Sequence, residues 1–261
     1  MFTVKSHSIT RRMKGAIPTS AKHMLVRLFC NPIIGGIIQL LPVSRSLVGG
    51  SFDYKLVDGK SAAKIFFGIW ESAEIGLSKR FAENDVIIEL GSSVGVTFGV
   101  LHRLFRNTKY ICVEASPRTF GILGKQVEHC GRSCSSDVVL LNKAIGYENA
   151  GYIYFQETSF SGSQRDTEEV PMGSSIKVPC VTLNDIVDEF SKDKTYTLIT
   201  DIEGSEAEIF FKDGRSLENC SKIICELEDT KEYTQTEQIE QLKKVGFEVI
   251  EQYANVFYLS R

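Results

Sequence analysis

The stretch Asp85 to Gly95, Asp-Val-Ile-Ile-Glu-Leu-Gly-Ser-Ser-Val-Gly, narrows the choice of fold more than any other part of the chain. Val86, Ile87 and Ile88 form an unbroken apolar run, the pattern of a central parallel strand with helices over both faces. Glu89 closes the run, Gly91 and Gly95 stand four apart, and helical spacing of Phe98, Leu101 and Phe105 predicts a helix over 97–106. Strand, glycine turn and helix in succession is the local form of a nucleoside-binding crevice, because glycine adopts dihedrals and permits close approaches that a β-carbon forbids.

The spacing of this turn is not Gly-x-Gly-x-x-Gly, which seats a dinucleotide pyrophosphate on a helix N-terminus. A carboxylate just ahead of the glycines suits a ligand carrying an ammonium group. That points to S-adenosylmethionine rather than a nicotinamide cofactor. The remaining readings are a nucleotide-binding oxidoreductase and a tight turn that holds no ligand.

Downstream, Tyr110 to Glu114 reads as a second strand, and Glu114 follows Glu89 by 25 residues. An ionised carboxylate there offers two acceptor oxygens to the paired hydroxyls of a ribose. Ser116-Pro117 opens a helix running to about Cys130, with serine as cap and proline in the first turn. Asp137 to Asn142 is a third strand. Gly151 to Gln156 and Ile176 to Val181 resemble a hairpin divided by the long polar loop 157–175, and loops of that length in compact domains usually carry function. Thr182-Leu183-Asn184-Asp185 is a capping-box start to a helix ending near Phe190.

A second acidic strand end follows. Tyr196 to Thr200 leads into Asp201, Glu203, Gly204 and Glu206. Three clustered carboxylates raise at least one pKa, and Asp201 and Glu203 fall where an open α/β sheet binds its ligand. Glu206 is explained by the helix dipole alone. Lys222 to Glu228 is a fifth strand, 236–245 a helix, and Phe247 to Tyr253 with Asn255 to Ser260 a terminal antiparallel pair joined at Ala254.

The N-terminal region differs in charge. Residues 1–60 hold nine Lys or Arg and two Asp, although the whole chain has a formal net charge of -3. A basic arm on an acidic body predicts an anionic partner for the arm. Helices are expected around 20–29 and 33–41, a turn into a short strand at Gly49-Gly50, and a hairpin at Asp58-Gly59. The longest uncharged piece here, Leu28 to Ser44, is shorter than the ~20 apolar residues of a spanning helix. It reads as a packing or interfacial helix. Seven scattered cysteines without a Cys-x-x-Cys pair fit reduced thiols in a cytoplasmic protein. Trp70, the single tryptophan, and the adjacent Glu71 are expected either to anchor the core or to line a substrate pocket.

Together these motifs resemble the FkbM family of class I S-adenosylmethionine-dependent methyltransferases over residues 68–261. Gly68-Ile69-Trp70-Glu71, Glu89 to Gly95, Val113 to Pro117, and Thr182 to Asp185 followed by Asp201 to Glu206 carry the likeness, the last block most specifically. Ser92-Ser93, Ala115 and Thr200 depart from the family's usual residues. The resemblance implies an α/β, Rossmann-like, seven-stranded and mostly parallel sheet with an antiparallel C-terminal strand pair; the helical N-terminal extension, residues 1–67, lies outside it and is expected from its charge and apolar pattern to serve as a cap or a membrane or substrate contact. The resemblance also implies O-methylation of a hydroxyl on a saccharide or secondary metabolite. Glu89, Gly91, Ser92, Ser93, Gly95, Glu114, Ala115 and Ala144 are the expected cofactor-binding positions. Asp201 is the expected base, with Glu203 next, while Trp70, Glu71 and Glu226 are expected to meet substrate. Asp201 is also the position for a Mg2+ ligand, since adjacent carboxylates suit that ion. Expected partners are a small molecule or glycan and no nucleic acid, with peripheral membrane contact through the basic arm. A catalytically inactive membrane scaffold on the same fold is the alternative.

Overall fold

A computed structural model of the chain describes residues 26, 28–81, 86–105, 107–131, 137–147, 151–156 and 175–261. The chain divides into two compact units, one ending at Trp70 and one from Glu71 to Arg261.

In the first unit, helix α1 (Pro32–Leu40) is opened by Asn31, whose Oδ1 accepts the N–H groups of Ile33 and Ile34 at 3.0 Å each. Helix α2 (Gly59–Phe66) is opened by Asp58, which accepts from Lys60 and Ser61. Asp58-Gly59 therefore caps a helix and does not turn a hairpin: the aspartate oxygen satisfies two first-turn donors that a hairpin would leave elsewhere. The short pairing foreseen near Gly49-Gly50 is a single antiparallel bridge, Arg45 with Ser51. Helices α1 and α2 meet where Gly35 faces Gly59, and a β-carbon on Gly35 would lie 1.5 Å from the Gly59 carbonyl oxygen. Most of the helix expected over 20–29 lies outside the described residues.

The second unit begins with α3 (Ser72–Phe81) and then runs β1 (Val86–Leu90), α4 (Val96–Leu101), β2 (Lys109–Val113), α5 (Pro117–Gly131) and β3 (Val138–Leu141). After β4 (Ala144–Ile145), β5 (Tyr152–Gln156) and β6 (Ser175–Val181) come α6 (Leu183–Phe190), β7 (Tyr196–Thr200), α7 (Glu206–Lys212) and β8 (Cys220–Glu226). The chain ends in α8 (Gln235–Lys244), β9 (Glu248–Tyr253) and β10 (Val256–Ser260). Seven strands form one sheet in the order β3-β2-β1-β7-β8-β10-β9, parallel except for β10, which runs antiparallel to both neighbours. This is the expected α/β, Rossmann-like architecture.

Strands β1 and β7 are buried along their whole lengths, as the apolar runs require of strands covered on both faces. Helix α6 has the expected capping box, with Thr182 and Asp185 satisfying each other's backbone. The regular helix after the first turn ends at Leu101 rather than 106, where His102 folds its Nδ1 back to within 2.9 Å of the Phe98 carbonyl and stacks on the Phe98 ring. The hairpin β5–β6 forms, but it belongs to a second, three-stranded sheet in which β4 pairs parallel with β6. Most of the polar loop that divides it, residues 157–174, lies outside the described residues.

The chain enters the sheet at β1, builds outward through β2 and β3, and returns to β7 on the other side of β1. The carboxyl ends of β1 and β7 thus flank the point where strand order reverses, which is where open α/β sheets bind ligands. Gly91 has φ +81°, and a β-carbon there would lie 1.8 Å from the Asp201 carbonyl oxygen. The glycine is required for contact between the two strand ends. Gly91→Ala should lower the unfolding free energy by about 3 kcal/mol or more, read from the urea midpoint. Gly124→Ala, with open space around it in α5, should be neutral or stabilising by up to about 1 kcal/mol.

Candidate active site

The strand-end acids converge. Glu71, Glu74, Glu89 and Asp201 line one pocket together with Leu90, Gly91, Thr97 and Ile199. No lysine, arginine or histidine is among these lining residues. Glu89, at the fourth position of β1, is buried and accepts a hydrogen bond from Tyr110 Oη at 2.5 Å. Glu71 accepts from Thr97 Oγ1 at 2.7 Å.

Burial with like charges nearby lifts these groups. Burial pushes Glu89 up to about 8, against the lowering effect of its Tyr110 hydrogen bond. Asp201 rises to about 9, chiefly through burial and then through the carboxylates of Glu226 and Glu71. Glu74 is also raised by burial, by Glu71 and by its hydrogen bond with Glu226. In water such groups ionise near pH 4, so the pocket holds acids in search of positive charge.

The glycine turn is organised by Glu114 at the end of β2. Its carboxylate accepts from the N–H of Ser93, the N–H of Ser116 and Thr119 Oγ1, each at 2.8 Å. Ser93 is held at φ +47°, a left-handed conformation uncommon outside glycine. Ser92 donates its hydroxyl to the Glu89 carbonyl and its N–H to Val113 O, so its side chain is engaged by the backbone of β1. At Gly95 the missing β-carbon makes room for Leu123 and Gln126 of α5, at 2.8 and 3.1 Å. Both turn glycines therefore serve close packing within the protein, where the sequence pointed to approach by a ligand.

Ala115 accepts through its carbonyl from Asn142 Nδ2, and Ala144 is buried in β4 against Ile153 and Val178, with Ala115 packed beside them. Glu226 lies at the end of β8, accepting from Asn255 Nδ2. Glu203 has φ +56° in the turn after Asp201 and does not line the pocket. Trp70 closes the first unit, with Lys64 Nζ 5.7 Å from its ring centre.

Oxygens of Glu74, Asp201 and Glu226 lie within 4.8 Å of one another, the grouping a cation would require. Here Glu74 and Glu226 are joined by a hydrogen bond, and Asn255 presents an N–H donor to Glu226. Three carboxylate oxygen donors suit a divalent ion, and the Asn255 N–H competes for one oxygen of Glu226.

Three features escaped the sequence reading. Glu74 is indistinguishable in sequence from an ordinary acidic residue in a first helical turn. Tyr110 reads as strand filler, and its hydroxyl's partner lies 21 residues away. Glu206 is the third. Its carboxylate is buried and accepts from the N–H of Ile202 at 2.6 Å and of Gly204 at 2.9 Å. It clamps the turn that contains Glu203 and Gly204, both at positive φ. Burial raises it to about 7 although both N–H bonds favour its charge.

The chemistry of this pocket fits a cationic nucleoside. S-adenosylmethionine carries an ammonium and a sulfonium, and here acids without lining cations stand at the switch point of the sheet, next to the glycine turn that Glu114 orders. The fold and site define a class I S-adenosylmethionine-dependent methyltransferase. The profile of the methyltransferase FkbM domain matches residues 89–249, and the chain belongs to that family. Similar solved structures include precorrin-6y C5,15-methyltransferase from Geobacter metallireducens GS-15, at 16% identity over 72% of this chain and 84% of that one, TM-score 0.40. Others are the N-terminal domain of human METTL16 in complex with SAH, at 15% identity over 76% and 68%, TM-score 0.35, and M. capricolum TrmK in complex with S-adenosyl-homocysteine, at 11% identity over 71% and 65%, TM-score 0.38. A search among curated proteins gave no significant match.

Two predictions follow from the acids. The folded chain keeps protons on Glu89 and Asp201 that the unfolded chain releases near pH 4, so folding binds more protons between about pH 5 and pH 9 and stability falls as pH rises through that window. The thermal midpoint of ligand-free protein should drop from pH 6 to pH 9 by scanning fluorimetry, and saturating S-adenosylhomocysteine should reduce the drop. Glu206→Gln sets an amide donor against a backbone N–H and should cost about 1–3 kcal/mol in urea unfolding.

Proposed function

We propose that this chain transfers the methyl group of S-adenosylmethionine to a hydroxyl oxygen of a saccharide or secondary metabolite, with Asp201 as the base. The observation that carries the reading is the position of the half-buried Asp201 carboxyl, which lines one pocket with Glu71, Glu74 and Glu89, lies close to Glu226 and is raised to about 9. A nearby cation favours the ionised form of such a group, bringing its pKa down toward neutrality, where a general base is most effective. The cofactor supplies a sulfonium-activated methyl group. What remains for the protein is to orient the acceptor oxygen and to take its proton at the Asp201 carboxylate.

In this reading Glu89 holds the ammonium end and Glu114 the ribose, with Gly91, Ser92, Ser93, Gly95, Ala115 and Ala144 shaping the cofactor cleft. Glu71 and Glu226 orient a hydroxylated acceptor, and Glu203 supports the base. Magnesium has no step in it. An acceptor other than nucleic acid is favoured by the pocket itself, where Glu71, Glu74, Glu89 and Asp201 line the site without a lysine, arginine or histidine to meet a phosphate backbone.

The test combines labelled cofactor with mass spectrometry of the product. Methyl recovered as an ether on a hydroxyl supports the proposal; recovery on nitrogen, carbon or RNA overturns it. Asp201→Asn should lower kcat by about 10²- to 10⁴-fold while the Kd for S-adenosylhomocysteine, by calorimetry, changes little. Glu114→Gln should instead weaken cofactor binding by roughly 10-fold or more through lost charge-assisted hydrogen bonds. Absence of any cofactor binding in the wild-type chain would favour the inactive scaffold.

A further inference from the structure

Helix α1 is turned inside out. Its sequence, Pro-Ile-Ile-Gly-Gly-Ile-Ile-Gln-Leu, holds one polar side chain. That side chain, Gln39, points inward and donates from Nε2 to the carbonyls of Tyr54 and Val57 at 3.1 and 2.7 Å. Gly35 and Ile38 are buried on the same side. The opposite face presents Ile33, Ile37 and Leu40, which are 78%, 54% and 86% exposed. Spaced i, i+4 and i+7, they form one continuous stripe. Leu28, Phe29 and Leu41 are exposed alongside in sequence, so most of the exposed large apolar side chains among the described residues fall between Val26 and Leu47.

Charge identifies what covers this stripe. The chain has no acidic residue before Asp53 and seven basic ones, Lys5, Arg11, Arg12, Lys14, Lys22, Arg27 and Arg45. In the first unit, Arg45, Lys55 and Lys60 are exposed. A second copy of the chain would add like charge to like, since the unit that carries the stripe is strongly basic in sequence and exposes Arg45, Lys55 and Lys60, which opposes self-association. An anionic lipid surface accepts both features at once, because acyl chains take the apolar stripe and headgroups take the cations. No described helix is long and apolar enough to cross a membrane, and nine residues of helix extend only about 13.5 Å against a hydrocarbon core of about 30 Å.

We propose that α1 lies flat in the interface of an anionic phospholipid bilayer, with Ile33, Ile37 and Leu40 inserted and Arg45 among the cations that meet the headgroups. The proposal stands on the first unit alone and does not depend on which acceptor is methylated.

The experiment is vesicle co-sedimentation of the full chain, using phosphatidylcholine alone and phosphatidylcholine mixed with phosphatidylglycerol. Wild type should sediment with the mixed vesicles, more weakly with phosphatidylcholine, and less as salt is raised from about 0.1 M to about 0.5 M. The combined variant Ile33→Ser, Ile37→Ser and Leu40→Ser should bind mixed vesicles about 100-fold more weakly or worse, with circular dichroism and thermal midpoint unchanged because these positions are exposed. Arg45→Glu should weaken binding roughly tenfold. Asp201→Asn should bind as wild type does. Vesicle binding undiminished in the triple variant, no binding of wild type to anionic vesicles, or a wild-type dimer that the triple variant dissociates without any vesicle binding would each overturn the proposal.

Discussion

The architecture turns on crowding carboxyl groups into the reversal point of a parallel sheet. Glu89 ends β1, Asp201 follows β7, Glu226 ends β8, and Glu71 and Glu74 enter from the start of α3. Each is costly to bury in its charged form, and the protein answers by holding protons, with Glu89 and Asp201 raised to about 8 and 9. That answer leaves the pocket responsive to positive charge. Positive charge brought beside these groups would favour their ionised forms, so their protonation is coupled to whatever the pocket holds.

Holding the acids in place strains the backbone. Glu71, Ser93 and Glu203 all adopt positive φ, as do Gly91, Gly95 and Gly204. Non-glycine residues in that region persist only where surrounding contacts over-determine them. Two carboxylates provide much of that determination. Glu114 draws in the N–H of Ser93 from one side, and Glu206 grips the turn after Asp201 through Ile202 and Gly204. A family of acids thus divides into those that face the pocket and those that fix the loops around it.

The first unit follows a different logic. Helices α1 and α2 meet through Gly35 and Gly59, and among the described residues Phe52, Tyr54 and Phe66 make edge-on and tilted aromatic contacts. Turning Gln39 inward satisfies carbonyls of the short turn beside α1 and leaves only apolar groups outside. Such an exposed stripe is disfavoured in water, and it is reasonable only where something apolar receives it.

The sequence by itself determined the sheet, because Val86–Ile88 is apolar on both faces, Tyr196–Ile199 is largely so, and a central parallel strand buries both faces. It determined the end points too: Glu89, Glu114 and Asp201 were legible because strand ends at the carboxyl edge have one physical location. It also determined local caps such as Thr182 with Asp185, whose partners are three residues apart. Asp58-Gly59 was read as a turn because the same dipeptide opens hairpins and helices, and only the packing of α2 on α1 decides between them. Tertiary structure alone decided which acids share a pocket. Glu74 lies in an unremarkable helical turn, Tyr110 reaches Glu89 from the neighbouring strand, and Glu206 bonds its own loop, since hydrogen bonds and burial depend on distances in space that residue spacing along the chain does not encode.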